Sequence, residues 1–235
     1  PRFSDPDGYI NGRRILRVGG SIYDFWYPVY AGVNQETGAP QWRITNDDGT
    51  YGVTEDYSTA SLKKNSDSPG TSLPDLQGGF GTSVDAFGFD FSVSCTYGLG
   101  GLTYDYIYQQ LMHGGQASEA GTNWHKDILN SWTASNTNTD VPMVNFGGKD
   151  IGATSDRFLI SSSYLSINNV TLGYTLPKKV LNKIDLEAVR LYFAADNVYL
   201  FSKRKGLDPR QNFSGSTDFI YSPIRTISVG ANIKF

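Results

Sequence analysis

The sequence predicts an all-β chain, an antiparallel transmembrane β-barrel segment with long external loops. Three observations carry that expectation. One segment alternates apolar and polar residues over a length that soluble strands seldom reach. Long and short connections alternate along the chain. The chain stops on an aromatic residue, Phe235, at the end of a second alternating segment.

The composition agrees. Charged residues are sparse at 18%, aromatic residues make up 14%, and 26 residues are glycine, a profile of strands, turns and polar loops. Basic and acidic residues nearly balance, 20 against 23, which argues against a nucleic-acid binder with its basic excess. No stretch approaches the ~18 apolar residues of a transmembrane helix. Barrel strands remain open, because their alternation averages to mild hydropathy. The single Cys95 excludes an internal disulfide and leaves the redox compartment unreadable. The first residues, through Ser4-Asp5-Pro6-Asp7-Gly8, fit a mature secreted start or a piece of a longer chain equally well.

In chain order, residues 13–18 are a weak strand candidate. Residues 22–33 and 39–45 read as strands around the turn Asn34-Gln35-Glu36-Thr37-Gly38. Residues 76–85 precede the longest strand, with a tight turn expected near Asp85-Ala86. From Phe87 to Leu99 the odd positions are Phe, Phe, Phe, Val, Cys, Tyr and Leu, and the even positions are small or polar. Strand side chains alternate with period two, so this segment has one apolar and one polar face. It would be about 40 Å long at ~3.3 Å per residue. A tilted membrane strand needs ~9–11 residues. Residues 170–176 alternate again, 189–201 form a blurrier strand, and Ile227, Val229, Ala231, Ile233 and Phe235 share the apolar face of the last one.

If the last strand ends in the periplasm, parity sorts the connections. Residues 46–75, 100–158 and 202–222 become external, and 34–38, 85–86 and 177–187 become periplasmic. Long connections outside and short ones inside are the asymmetry of bacterial outer-membrane barrels. Tyr104, Ile107, Tyr108 and Leu111 have helical spacing, although Tyr104, Tyr106 and Tyr108 also alternate as a strand would. Trp124, Ile128 and Trp132 fit a second helix capped by Thr122 or Asn123, and Pro177, Val180, Leu181 and Ile184 fit one helical turn. Tyr23, Trp26, Tyr27, Tyr30 and Tyr199 are candidates for interfacial girdles.

No catalytic set emerges, so the chain reads as a non-enzyme without a cofactor. His113 and His125 lack metal-ligand spacing. Asn46-Asp47-Asp48-Gly49 and Asp5-Pro6-Asp7-Gly8 are turn chemistry rather than calcium loops. Gly78-Gly79 and Gly100-Gly101 have no following Lys-Ser/Thr and are not phosphate loops. Lys203-Arg204-Lys205 is a solvated basic run, with lipopolysaccharide contact as a secondary reading. Tyr104, Tyr108, Trp124 and Trp132, in the long external loop, are candidate substrate or partner contacts, weighed against simple packing within the loop.

The C-terminal half resembles the SusC/RagA family of TonB-dependent outer-membrane transporters. The resemblance is carried by the run Ser163-Tyr164-Leu165-Ser166-Ile167-Asn168-Asn169-Val170 continuing to Pro177, by Val189 through Tyr199, by Gly206-Leu207-Asp208-Pro209, and by Tyr221 to Phe235. Ala31-Gly32-Val33-Asn34-Gln35-Glu36-Thr37-Gly38, Gly78-Gly79-Phe80-Gly81 and His125-Lys126-Asp127-Ile128-Leu129 match more weakly. The resemblance implies that residues 1–235 are the C-terminal part of one barrel domain, about seven or eight strands of a larger barrel of about 22. The family's plug domain has no counterpart here. It further implies import of an oligosaccharide or peptide and a SusD-like surface lipoprotein as partner. A TonB complex would act through the missing N-terminal region, and outer-membrane lipids and the rest of the barrel would surround the chain. Phe235 would serve as the C-terminal insertion signal. Two other readings stand beside it, a complete small outer-membrane barrel with a pore or structural role and a soluble carbohydrate-binding β-sandwich.

Overall fold

The structure, a computed structural model, describes residues 8–115, 121–145, 150–183, 186–211, 213–217 and 221–235. They belong to two compact units. One draws on 74–100, 162–211 and 220–235, the other on 1–73, 101–161 and 212–219.

The first unit is a five-stranded antiparallel sheet. Its strands are β1 (Leu76–Ala86), β2 (Phe89–Leu99), β3 (Tyr164–Thr175), β4 (Ala188–Ser202) and β5 (Thr226–Lys234), in the spatial order β5-β4-β3-β2-β1. They run 9 to 15 residues, long enough to cross a bilayer at a tilt. β1 and β2 meet at the two-residue loop Phe87-Gly88, where φ is 53° and 84°. Two positive φ values are what a type I′ turn needs to match strand twist, and glycine supplies one without strain. The turn therefore lies two residues beyond Asp85-Ala86, and Phe87 leaves the strand it alternates with.

Residues paired across an antiparallel ladder share a face. On β2 the apolar side is Phe89, Phe91, Val93, Cys95, Tyr97 and Leu99. Their partners on β3 are Tyr174, Leu172, Val170, Ile167 and Leu165. Phe201, Tyr199, Ala195, Phe193 and Leu191 continue the face on β4, and Ile227, Val229 and Ala231 carry it to β5. β1 adds Leu76, Phe80 and Val84. Most of the apolar side chains are exposed or half-exposed, with Val229 82% and Phe80 58% accessible, while Cys95 and Ala195 are buried.

This face survives only because β3 is bulged. Ile167 pairs with Cys95 and Asn169 with Ser94, leaving Asn168 unpaired on that side. Against β4, Asn168 sits opposite two residues, Asn197 and Val198, and Asn197 takes a left-handed φ of 51°. A one-residue slip moves a strand's side chains to the other face. The bulge supplies that slip, so apolar residues at 165 and 167 stay in line with those at 170, 172 and 174.

The antiparallel all-β expectation holds. Five strands, rather than seven or eight, join this sheet among the described residues. The segments expected at 22–33 and 39–45 pair within the second unit, where Tyr30–Val33, Pro40–Thr45 and Tyr51–Thr54 form a small antiparallel sheet. At 4 to 6 residues they are too short to span a bilayer. The turn 34–38 also packs on the long connection expected to be external: Met143 N donates to Gly38 O at 2.9 Å and Trp132 Nε1 to Gln35 O at 3.1 Å. The parity rule thus fails for that hairpin.

In the second unit Tyr9–Asn11 pairs with Arg14–Leu16, and Leu102–Asp105 pairs with Leu159–Ser161 and with Ser216–Thr217. Helix Tyr106–Leu111 starts where that strand stops, so the two readings of 104–111 each describe one part. Asp105 caps it by accepting from Tyr108 N. Lys126–Asn130 is a 3-10 turn capped by His125 rather than by Thr122 or Asn123. Lys178–Leu181, in the first unit, is one helical turn after Pro177, and Ile184 lies outside the described residues.

Deleting Asn168 should carry Leu165 and Ile167 onto the polar face. The expected result is loss of the folded, heat-modifiable band on electrophoresis in mild detergent, while Asn168→Ala retains it.

Candidate functional site: a polar sheet face and an aromatic loop core

The polar face of the sheet holds two built features. Near the β1–β2 turn, Asp90 on β2 and Arg190 on β4 pair across β3, with Nε to Oδ1 at 2.8 Å and Nη2 to Oδ2 at 2.5 Å. The bridge passes over Gly173. A Cβ there would come within 2.6 Å of Arg190 Nη2, so the strand between the charges must be bare.

The second feature lies at the other end of the sheet. Asp208, in the loop after β4, is 3% exposed and takes two bonds from Arg210, Nε at 2.8 Å and Nη2 at 2.6 Å. Its hydrogen bond to the Asp208 carboxylate holds the Arg210 guanidinium above its ordinary range. Arg210 Nη1 donates to Ser166 Oγ at 2.7 Å, Ser166 donates to Asn168 Oδ1, and Asn168 Nδ2 reaches Thr96 Oγ1 at 3.1 Å. The bulged residue is thus the hub that ties loop to sheet. Asn197, opposite it, donates to Ile224 O at 3.0 Å and fixes the approach to β5. Ser202 Oγ bonds Arg204 O and Leu207 O, folding the loop back on itself. A cavity of about 480 Å³ opens beside this network.

The aromatic candidates have different fates. Tyr104 is buried and Tyr108 half-buried in the core of the second unit, with Phe25, Tyr27, Met112, Val141 and Phe158. Tyr27 and Tyr104 stack at 4.9 Å and 7°. Both of these loop tyrosines therefore serve packing. Trp124 is exposed on one side and stacks on His113 on the other, at 4.9 Å, with its Nε1 donating to His113 O. Trp132 covers Gly38 and bonds Gln35 O. The four do not converge on one surface patch. Tyr23, Tyr27 and Tyr30 also belong to this unit rather than to a strand girdle. Phe235 is exposed beyond β5. No group of three or more metal-ligating side chains comes together among the described residues.

Sequence reasoning missed the Asp90–Arg190 pair and the Arg210–Ser166–Asn168 relay. One signal was available for the relay. The apolar residues shift from odd to even positions between Ile167 and Val170, which marks a bulge.

A chain built of long bilayer-length strands on one hand and gathered loops on the other has known counterparts. TonB-dependent receptor P3 of Formosa agariphila is 30% identical over 242 residues, covering 94% of this chain and 23% of the relative. TonB-dependent receptor SusC of Bacteroides thetaiotaomicron is 26% identical over 221 residues, covering 93% and 20%. The chain belongs to the SusC/RagA family of TonB-dependent receptors. Solved structures share its fold. A RagAB peptide importer in a closed-closed state superposes with a TM-score of 0.79 at 23% identity, over 99% of this chain and 25% of that one. Its open-open state gives 0.78 at 22% identity, over 100% and 25%. No family model matches. This SusC/RagA-family chain spans less than a quarter of the length of the curated relatives it matches. The family is one of outer-membrane proteins.

Two outcomes are expected of these sites. Arg210→Ala strands the buried Asp208 carboxylate and should cost about 3–5 kcal/mol, read as a lower unfolding midpoint. Arg210→Lys should recover only part, having lost the two-pronged contact. Burial pushes the Tyr27 phenol up to about 12 from 10, favouring its protonated form in the folded state. Stability from this group is full below pH 10 and falls as pH rises from 10 through 12. Tyr27→Phe should flatten that part of the stability–pH curve.

Proposed function

We propose that this chain forms part of the transmembrane wall, with its external loops, of a TonB-dependent importer of a large nutrient, an oligosaccharide or a peptide. The observation that carries this reading is the single apolar face running without interruption through five strands and left largely exposed among the described residues. A bilayer accepts that face only if every backbone group is paired, which requires the edges β1 and β5 to join further strands of a closed barrel. The polar face, with its Asp90–Arg190 pair, then lines the lumen.

Orientation follows from the connections. The Phe87-Gly88 loop and the 176–187 connection leave one end of the sheet, and the long connections leave the other. With the long connections external, the C-terminus and Phe235 are periplasmic, where Phe235 acts as the insertion signal. A SusD-like lipoprotein would cap the external side, and a TonB complex would drive transport through a plug outside this chain. Trp124, exposed where Tyr104, Tyr108 and Trp132 are buried or half-buried, is the best placed of these four to touch substrate or partner. Five strands among the described residues are too few to close a barrel, which disfavours a complete small barrel, and the exposed apolar face disfavours a sandwich.

A pair of lysine substitutions tests the bilayer assignment. Val229→Lys puts a charge near the middle of β5 on the apolar face and should cost about 2–4 kcal/mol, with loss of assembled protein from outer membranes. Ser228→Lys, one residue away on the polar face, should assemble normally. Equal behaviour of the two variants would sink the reading. A C-terminal epitope should also resist protease on intact cells and be cut after the outer membrane is permeabilised.

A further inference from the structure

The cavity beside Asp208 and Arg210 carries charge that wall formation does not use. Lys205 and Arg225 line it, and neither forms an ion pair among the described residues. Asp208 is the only acid among the described residues of its lining, and Arg210 covers it so fully that its side chain is 1% exposed. The carboxylate is thus both neutralised and hidden. Among the described residues, the cavity presents two cations without an ion pair over an otherwise uncharged surface that includes Leu200, opposite Ser166 in the ladder, and Pro223. Arg210 adds donors without adding net charge. Three of its five N–H groups are spent on the Asp208 side chain and Ser166, which leaves two.

We infer that this cavity is a binding site for a phosphomonoester. The charge match selects the ligand class. A phosphomonoester carries about −1.5 to −2 at pH 7, against the two free cations, and its oxygens accept from ammonium and guanidinium donors. A carboxylate would leave one cation unpaired. The volume, about 480 Å³, exceeds what a phosphate group needs and leaves room for an attached organic part against Leu200 and Pro223. The site is also fixed in place. Arg210 is held by Asp208 and Ser166, the loop is folded on Ser202, and Asn197 clamps the segment that leads to Arg225. The phosphate can belong to a lipid headgroup or to a soluble ester, and both present the same group to the same donors.

The test uses the whole purified protein in a neutral detergent, with assembly of every variant verified by heat-modifiable migration. Binding of inorganic phosphate, and of mixed micelles containing phosphatidic acid, is measured by titration. Phosphatidylcholine micelles are the control and should not bind. Lys205→Gln and Arg225→Gln should each weaken binding by about tenfold or more, and Lys205→Arg should preserve it. Lys203→Gln removes a neighbouring charge from outside the cavity and should change nothing. Affinity should fall as pH drops through about 6, where the phosphomonoester loses its second charge. Much tighter binding of phosphatidic acid micelles than of phosphate would assign the site to a membrane lipid, and equal affinity per phosphate would assign it to a soluble ester. No binding of either probe, or equal losses in Lys203→Gln and Lys205→Gln, would overturn the inference. None of these readouts depends on transport, so they stand or fall separately from the import function.

Discussion

One constraint governs the sheet: a single face must stay apolar through five consecutive strands, whatever else the chain has to do. Period-two alternation meets it in β2 and β5 without assistance. In β3 and β4 it is met only with a correction, the bulge at Asn168 opposite the left-handed Asn197. Those residues also do a second job. Their side-chain amides reach the loop through Ser166 and Arg210 and the approach to the final strand through Ile224. The irregularity that preserves the apolar face is therefore also the anchor for the loop beside it.

Much of the sheet was legible because alternation is a local property. Phe89–Leu99 and Thr226–Lys234 follow from residue order alone. The ends of strands were less legible. Phe87 alternates correctly and yet turns, since glycine at 88 makes a two-residue loop cheaper than a longer strand. The strand at Tyr164–Thr175 was visible only in its second half, because the bulge shifts the apolar phase and makes the first half look like a different segment.

The second unit was harder to foresee, and the reason is physical. Some of its short strands pair across large sequence separations, as Leu102–Asp105 does with Ser216–Thr217, and such pairings leave no periodic trace. Its core gathers Phe25, Tyr27, Tyr104 and Phe158 with Met112 and Val141, aromatics that sequence alone leaves open between packing and an interfacial or contact role. Tyr104 looked like a contact residue because it sits in a long polar loop, yet stacking on Tyr27 takes it inside. The exposed Trp124 and the covering Trp132 could not be told apart from sequence, since each is a tryptophan in the same connection and only the position of His113 or Gly38 beneath it decides its role.

The Asp90–Arg190 pair has a mechanical consequence. It joins β2 to β4 and skips the strand between them. Sliding β2 or β4 relative to the other by the two residues that would restore side-chain facing moves the charges apart by roughly 7 Å, beyond contact. Ladder hydrogen bonds reform after such a slide, but this pair does not. It acts as a shear pin, set close to the turn end of the sheet, and it resists the one displacement that the backbone by itself would tolerate.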